Sequence, residues 1–130
     1  MSRQSTNDYG HTLLEQGAST REEFWRQLSY LPPDFASDVV HVARWFEDAL
    51  GHEGIAYVCQ GKQADFDFIE GDLFMIAVDR PSLVVQFDVH LHYIIVVDGD
   101  EQGEAGDWLD DRAGQALRWL EGALHPSRSL

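Results

Sequence analysis

The sequence predicts an α+β domain: two N-terminal helices, a four-stranded, mostly antiparallel meander with a long last strand, and a C-terminal helix packed on the sheet. Three observations carry that prediction. Phe35, Val39, Val42, Ala43, Phe46, Ala49 and Leu50 form one continuous helical stripe. From Ile55 to Val97 the pattern turns β-like, in apolar segments separated by short polar turns. Leu109, Ala113, Ala116, Leu117, Leu120 and Leu124 then return to helical spacing. Connections this short favour antiparallel pairing, because parallel crossovers need about a dozen residues or more.

Taken in order, residues 1–18 show no clear period and are expected to form a loosely ordered arm, with a short turn around Leu13 and Leu14. Thr20-Arg21-Glu22-Glu23 has the form of a capping box. Phe24, Leu28 and Leu31 follow at i, i+4 and i+7, so a short helix runs to Pro32-Pro33. The second helix starts near Pro33-Asp34, where proline is tolerated in the first turn, and Gly51 stops it. Ile55 to Gln60 reads as a strand, Gly61 to Ala64 as a turn, and Asp65 to Ile69 as a second strand. Glu70-Gly71-Asp72 is a turn, and the apolar run Leu73 to Val78 suits a strand covered on both faces. Pro81 marks the corner of the turn Asp79 to Ser82. Leu83 to Val97 is long for one strand, so a bend or bulge is expected inside it. Asp98 to Asp107 reads as an acidic loop, Asp107 as the cap of the last helix, and Asp110 and Asp111 as its first turn. Pro126 ends that helix, leaving a single domain over residues 19–125 and a tail over 126–130.

The charge is unevenly placed. Residues 63–111 hold thirteen acids and one base, Arg80, so −12 of the net charge of −14 falls there. Self-repulsion on that scale suggests an offsetting use, such as steering a basic partner. A basic-groove nucleic-acid binder is disfavoured, and anionic membrane surfaces repel the chain for the same reason. The apolar and aromatic fractions, 44% and 12%, are those of a globular protein. One cysteine, Cys59, rules out an intramolecular disulfide and fits a reducing compartment. The first ten residues lack the apolar core of a signal peptide, and no apolar run approaches membrane-spanning length, so a cytoplasmic location is expected.

Chemistry-bearing motifs are sparse. If 86–93 is one strand, Gln86, Asp88, His90 and His92 share a face, and two imidazoles at that spacing can ligate a transition metal. The His-x-His pair resembles that of cupins, but Ile and Val occupy 94–97 where a glutamate would be expected, and no third histidine follows on a later strand. A solvated or partner-facing strand face is the simpler reading. Gly61-Lys62 lacks phosphate-loop spacing, and no nucleophile elbow or His-Glu-x-x-His helix is present. Cys59 reads as a buried structural thiol. The four tryptophans, Trp25, Trp45, Trp108 and Trp119, fall on the flanks of their stripes, where a large ring either covers a core edge or anchors a partner.

These features favour a non-enzymatic, acidic protein-binding inhibitor: an immunity protein or antitoxin that neutralises a basic toxin by occupying it. In composition, size and absence of a catalytic motif the chain is similar to bacterial immunity proteins, and no motif ties it to one family. Asp65, Asp67, Glu70 and Asp72, with Asp88, His90 and His92, are the expected contacts, and Trp108 or Trp119 the apolar anchor. The loop from Asp98 to Asp107 is a second candidate patch. No metal, cofactor, nucleic acid or membrane is expected; monomer and homodimer remain open. Two alternatives stand beside this. Type III effector chaperones have a similar layout, which makes a secretion-effector chaperone one. A small metal-dependent enzyme centred on His90 and His92 is the other.

Overall fold

The computed structural model describes residues 9–60, 62–63, 69–106 and 108–125, with backbone only for 62–63 and 69–70. The fold is α+β, and its order is α1 (Tyr9–Glu15), α2 (Arg21–Leu28), α3 (Pro33–Leu50), a 3₁₀ turn (His52–Gly54), β1 (Ile55–Cys59), β2 (Lys62–Gln63), β3 (Ile69–Glu70), β4 (Leu73–Ala77), β5 (Leu83–Asp88), β6 (Tyr93–Asp98), β7 (Glu101–Ala105) and α4 (Arg112–Leu124). β1, β4, β5, β6 and β7 form one antiparallel sheet in that spatial order. β2 and β3 pair separately as a short antiparallel ladder.

Local chemistry sets the helix ends. Thr20 Oγ1 accepts a hydrogen bond from Glu23 N–H at 3.0 Å, which caps α2. Pro33 opens α3, and Gly51, at φ 75°, closes it with its N–H bonded to the Glu47 carbonyl. α4 starts later than the sequence predicts. Its cap is Asp111, whose carboxylate accepts from Gly114 N–H at 2.9 Å, so Trp108 and Asp110 lie before the helix. The expected cap, Asp107, falls outside the described residues.

Alternation along the strands divides the core between two faces. α2, α3 and α4 cover one, where Phe24, Phe35, Val39, Phe46 and Leu120 meet Tyr57, Met75, Val85, Phe87 and Ile94. α1 covers part of the other, packing Leu13 with Val58, Phe74, Ile76 and Val84. Every residue of β4 is buried, as its unbroken apolar run predicts. The sequence reads only a turn where α1 lies, because Tyr9, Leu13 and Leu14 are too few for a period. Burying Leu13 stabilises this seat by about 2 kcal/mol.

The count of strands differs from expectation at three places. Where a turn is expected over 61–64, Lys62–Gln63 forms β2 and pairs with Ile69–Glu70 outside the main sheet, so β1 pairs directly with β4. Residues 64–68, with most of the expected second strand, lie outside the described residues. The run Leu83 to Val97 does not bend; it reverses completely at 89–92, giving β5 and β6. The expected acidic loop is largely β7, reached by a two-residue turn in which Gly99 takes φ 64°. Glycine at the first central position of a two-residue hairpin is the type II′ arrangement, and it aligns Asp98 with Glu101.

β7 and α4 meet through Gly103. A Cβ at that position would lie 2.5 Å from Trp119 Cδ2, so the indole rests on the bare strand backbone. Gly103→Ala is therefore expected to displace the ring and cost roughly 1–3 kcal/mol. Urea unfolding measures the loss, and a shift in tryptophan emission reports the moved indole.

Candidate protein-binding surface

One row of residues crosses the whole sheet: Cys59 pairs with Leu73, Leu73 with Phe87, Phe87 with Ile94, and Ile94 with Ala105. The connections β1–β4, β5–β6 and β7–α4 therefore all leave from the same end of the sheet. α3 and α4 also begin there. Arg112 Nε donates to Asp38 Oδ2 at 2.8 Å, and Arg112 Nη1 donates to the His92 carbonyl at 2.9 Å. The Arg112 guanidinium lies 4.9 Å from the Phe35 ring centroid and is buried, so this cation serves the interior.

The β5–β6 turn has a defined shape without glycine or proline. Asp88 Oδ1 accepts from Leu91 N–H at 2.8 Å, and the Asp88 carbonyl accepts from His92 N–H at 2.8 Å. His92 takes φ 61°, a left-handed conformation that costs a non-glycine residue about 1 kcal/mol or more. Its ring stacks on Phe35 at 5.1 Å between centroids, and its carbonyl is held by Arg112. These contacts turn His92 inward and leave His90 and Leu91 outside, with Leu91 56% exposed. Trp108 is 62% exposed on the neighbouring β7–α4 connection. Gly106 joins the two features, since a Cβ there would meet both the Tyr93 ring and Trp108 Nε1.

Asp72 sits behind this turn and holds it. Tyr9 Oη donates to Gln86 Oε1 at 3.0 Å, Gln86 Nε2 donates to Asp72 Oδ2, and Val89 N–H approaches Asp72 Oδ1 at 3.4 Å. Burial raises the Asp72 carboxyl above its ordinary pKa, and the charge of Asp88 adds to this against the hydrogen bonds from Gln86 and Val89. Tyr9 is raised as well, by burial and then by Asp72. The network links α1, β5 and the β5–β6 turn, so Asp72 is a half-buried support of this surface.

The structure brings Asp72, Asp88, His90 and Trp108 together at this end, joined by exposed Asp110 and Asp111. His92 belongs to the same turn, but the expected strand face shared by Gln86, Asp88, His90 and His92 does not form, because β5 stops at Asp88. Trp119 lies elsewhere, half-buried on Gly103, and does not align with Trp108 on one helix. Asp65 and Asp67 fall outside the described residues; for Glu70 the backbone pairs with Lys62. The second acidic patch divides, with Asp98 bonded to Arg80 at 2.6 Å and Asp100, Glu101 and Glu104 exposed. Among the described residues no group of three or more His, Cys, Asp or Glu side chains is placed to hold a metal ion. Cys59 is half-buried, and burial pushes its thiol above the ordinary range.

Sequence reasoning missed Leu91, because one strand over 86–93 puts it on the face opposite Gln86, Asp88, His90 and His92. The usable signal was Asp88 three residues earlier, a residue type that bonds forward to backbone N–H groups in turns. The chain matches no protein-family model, no curated protein and no solved structure with which it was compared.

Proposed function

We propose that the protein is an acidic, non-enzymatic inhibitor that binds a basic partner protein, as an immunity protein or antitoxin binds a toxin in the cytoplasm. The observation that carries this reading is the meeting of exposed Leu91 and Trp108 with Asp88, His90, Asp110 and Asp111 at one end of the sheet. Leu91 and Trp108 are two of the three large apolar side chains most exposed among the described residues, the third being Val78. Large apolar anchors ringed by charge are the composition of protein-binding hot spots, tryptophan above all. The surrounding carboxylates supply steering toward a positive cleft, which acts mainly on the association rate. The rigid backing of the turn, through Asp72, Arg112 and Phe35, keeps the surface pre-formed and lowers the ordering cost of binding. Among the described residues no helix is long and apolar enough to cross a membrane.

The test is capture from native lysate at moderate salt, followed by assay of the captured protein. The expected result is one stoichiometric basic protein whose toxic activity is suppressed by equimolar addition of this chain. Asp110→Asn with Asp111→Asn is expected to slow association several-fold at low salt, with a smaller effect at high salt. Asparagine caps helices as well as aspartate does, so α4 is preserved. A captured protein that is not basic, or whose activity is untouched by the chain, sinks this reading.

A further inference from the structure

The two edges of the five-stranded sheet are finished differently. On β1 the outer edge is occupied. Ser19 N–H donates to the Tyr57 carbonyl at 2.7 Å, and Ser19 Oγ accepts from Cys59 N–H at 3.0 Å. On β7 nothing among the described residues pairs with the outer edge. Register decides which groups that edge offers. The two-residue turn makes Asp98 and Glu101 a hydrogen-bonded pair, and alternation along an antiparallel ladder then directs Gly103 and Ala105 toward β6. The bond from Gly99 N–H to the Ser82 carbonyl fits the same alternation on the other side of β6. The backbone N–H and C=O groups of Gln102 and Glu104 therefore face away from the sheet.

β7 stands between two grooves. On the helix-covered face, Glu101 and Gly103 border a cavity of about 480 Å³ that includes Trp119 and Arg118. On the opposite face, Gln102 borders one of about 310 Å³ that includes Tyr9 and Val97. Gln102 Nε2 donates to Glu104 Oε2 at 2.8 Å, so the strand's own side chains carry negative charge on both faces. The strand ends three residues before Trp108, so a segment laid along it runs up to the surface described above.

We infer that β7 is a docking edge at which an extended basic segment of the partner adds as a sixth strand. Its cations lie beside Glu104 on the open face, and its apolar side chains enter the groove beside Trp119 on the other. The existence of such a partner rests on the inhibitor reading; the edge itself is testable without it. Charge selects the occupant. A second copy of this chain pairing edge to edge would bring Glu101 and Glu104 of both copies together, and like charges across a strand pair are destabilising. Acids on an exposed edge protect it from indiscriminate pairing by that same repulsion. A cationic strand alone gains both the main-chain bonds and the charge complementarity.

The probe is an end-blocked hexapeptide of alternating Lys and Val, compared with the same peptide N-methylated on alternate amides. Amide-resolved NMR is expected to show new exchange protection at Gln102 and Glu104 with the first peptide and at least tenfold weaker binding of the second. Gln102→Pro is expected to abolish the peptide's effect while leaving the fold intact by circular dichroism, because that N–H makes no bond to β6. Equal affinity of the methylated peptide, absence of binding, or protection confined to other strands would overturn the inference. If the proline variant does not fold, the methylated peptide on the unmodified protein decides. A captured partner that binds Gln102→Pro as tightly as the parent also overturns strand addition, yet leaves the inhibitor reading standing. Capture of no basic partner removes that reading, and the two peptides still decide the edge.

Discussion

Replacing Glu47 by alanine is expected to cost about 2–4 kcal/mol of folding stability, most of it from leaving a buried hydroxyl unpaired. Glu47 lies in the last turn of α3, where a carboxylate is unfavourable toward the helix dipole, so its place needs another explanation. Four hydrogen bonds supply it. Oε2 accepts from Tyr57 Oη at 2.6 Å, from Arg21 Nε at 2.8 Å and from Trp25 Nε1 at 3.0 Å, and Oε1 accepts from Arg21 Nη2 at 2.9 Å. One carboxylate thus ties α2, α3 and β1 together. Alanine would leave the buried Tyr57 hydroxyl without its partner and release the bidentate Arg21, which also lies 5.8 Å from the Trp25 ring. For a domain of this size the expected fall in melting temperature is on the order of 10 °C.

The same residue gives a pH signature. Burial alone would raise the Glu47 carboxyl, but the hydrogen bonds from Arg21, Tyr57 and Trp25 override it and pull the pKa down to about 2 from an ordinary 4.5. A carboxyl depressed in the folded state contributes stability above its unfolded pKa, and that contribution is lost as pH falls through the folded value. The stability advantage of the parent over Glu47→Gln is therefore expected to hold above pH 4.5 and to shrink by about 3 kcal/mol toward pH 2. Asp72 works in the opposite sense. Its raised pKa makes folding easier at low pH and harder as pH rises through the folded value, and this contribution cancels between the two proteins. Urea unfolding of both at several pH values measures the difference. A constant gap from pH 7 to pH 3 would mean that Glu47 acts through packing alone.

Where periodicity and local capping decide structure, the sequence was legible. The stripes of α2 and α3, the Thr20 cap, Pro33 and Gly51 all point one way, and the helices form there. β7 was hidden because Glu101, Gln102, Gly103 and Glu104 carry no apolar residue, although the Gly99-Asp100 pair was a readable hairpin turn. The reversal at 89–92 left one local signal, Asp88, against an otherwise strand-like run. Val89, His90, Leu91 and His92 continue the β-like composition, and His92 enters left-handed backbone only because Phe35 and Arg112, far away in sequence, hold it. That tertiary override also reshapes the candidate site. Asp72, Asp88, His90 and Trp108, singled out in the sequence, lie at one end of the sheet, but which of them face outward depends on the turn. Trp119 was unreadable for a similar reason, since its position follows from a bare glycine on a strand that composition did not reveal.

If the protein is the inhibitor proposed, Leu91→Ala combined with Trp108→Ala is expected to weaken capture of its basic partner by at least ~30-fold, on the order of 2 kcal/mol or more, while leaving the fold unchanged. Their exposures, 56% and 62%, mean that neither truncation opens a core cavity, so unfolding by urea is the internal control. The effect is expected in the dissociation rate, because apolar anchors act after encounter. Removing carboxylates at Asp110 and Asp111 is expected instead to lower the association rate and its salt dependence. Surface plasmon resonance at two salt concentrations separates these two signatures on one partner. Val78→Ala is the matched control: its side chain is 47% exposed just after β4, at the end of the sheet opposite Leu91 and Trp108. If Val78→Ala weakens binding as much as the double truncation, or if the double truncation has no effect, the partner docks elsewhere. A fast dissociation confined to Leu91 and Trp108, with slow association confined to the acids, would instead divide the surface into an anchor and a steering rim, which is how a small pre-formed inhibitor combines speed with tenacity.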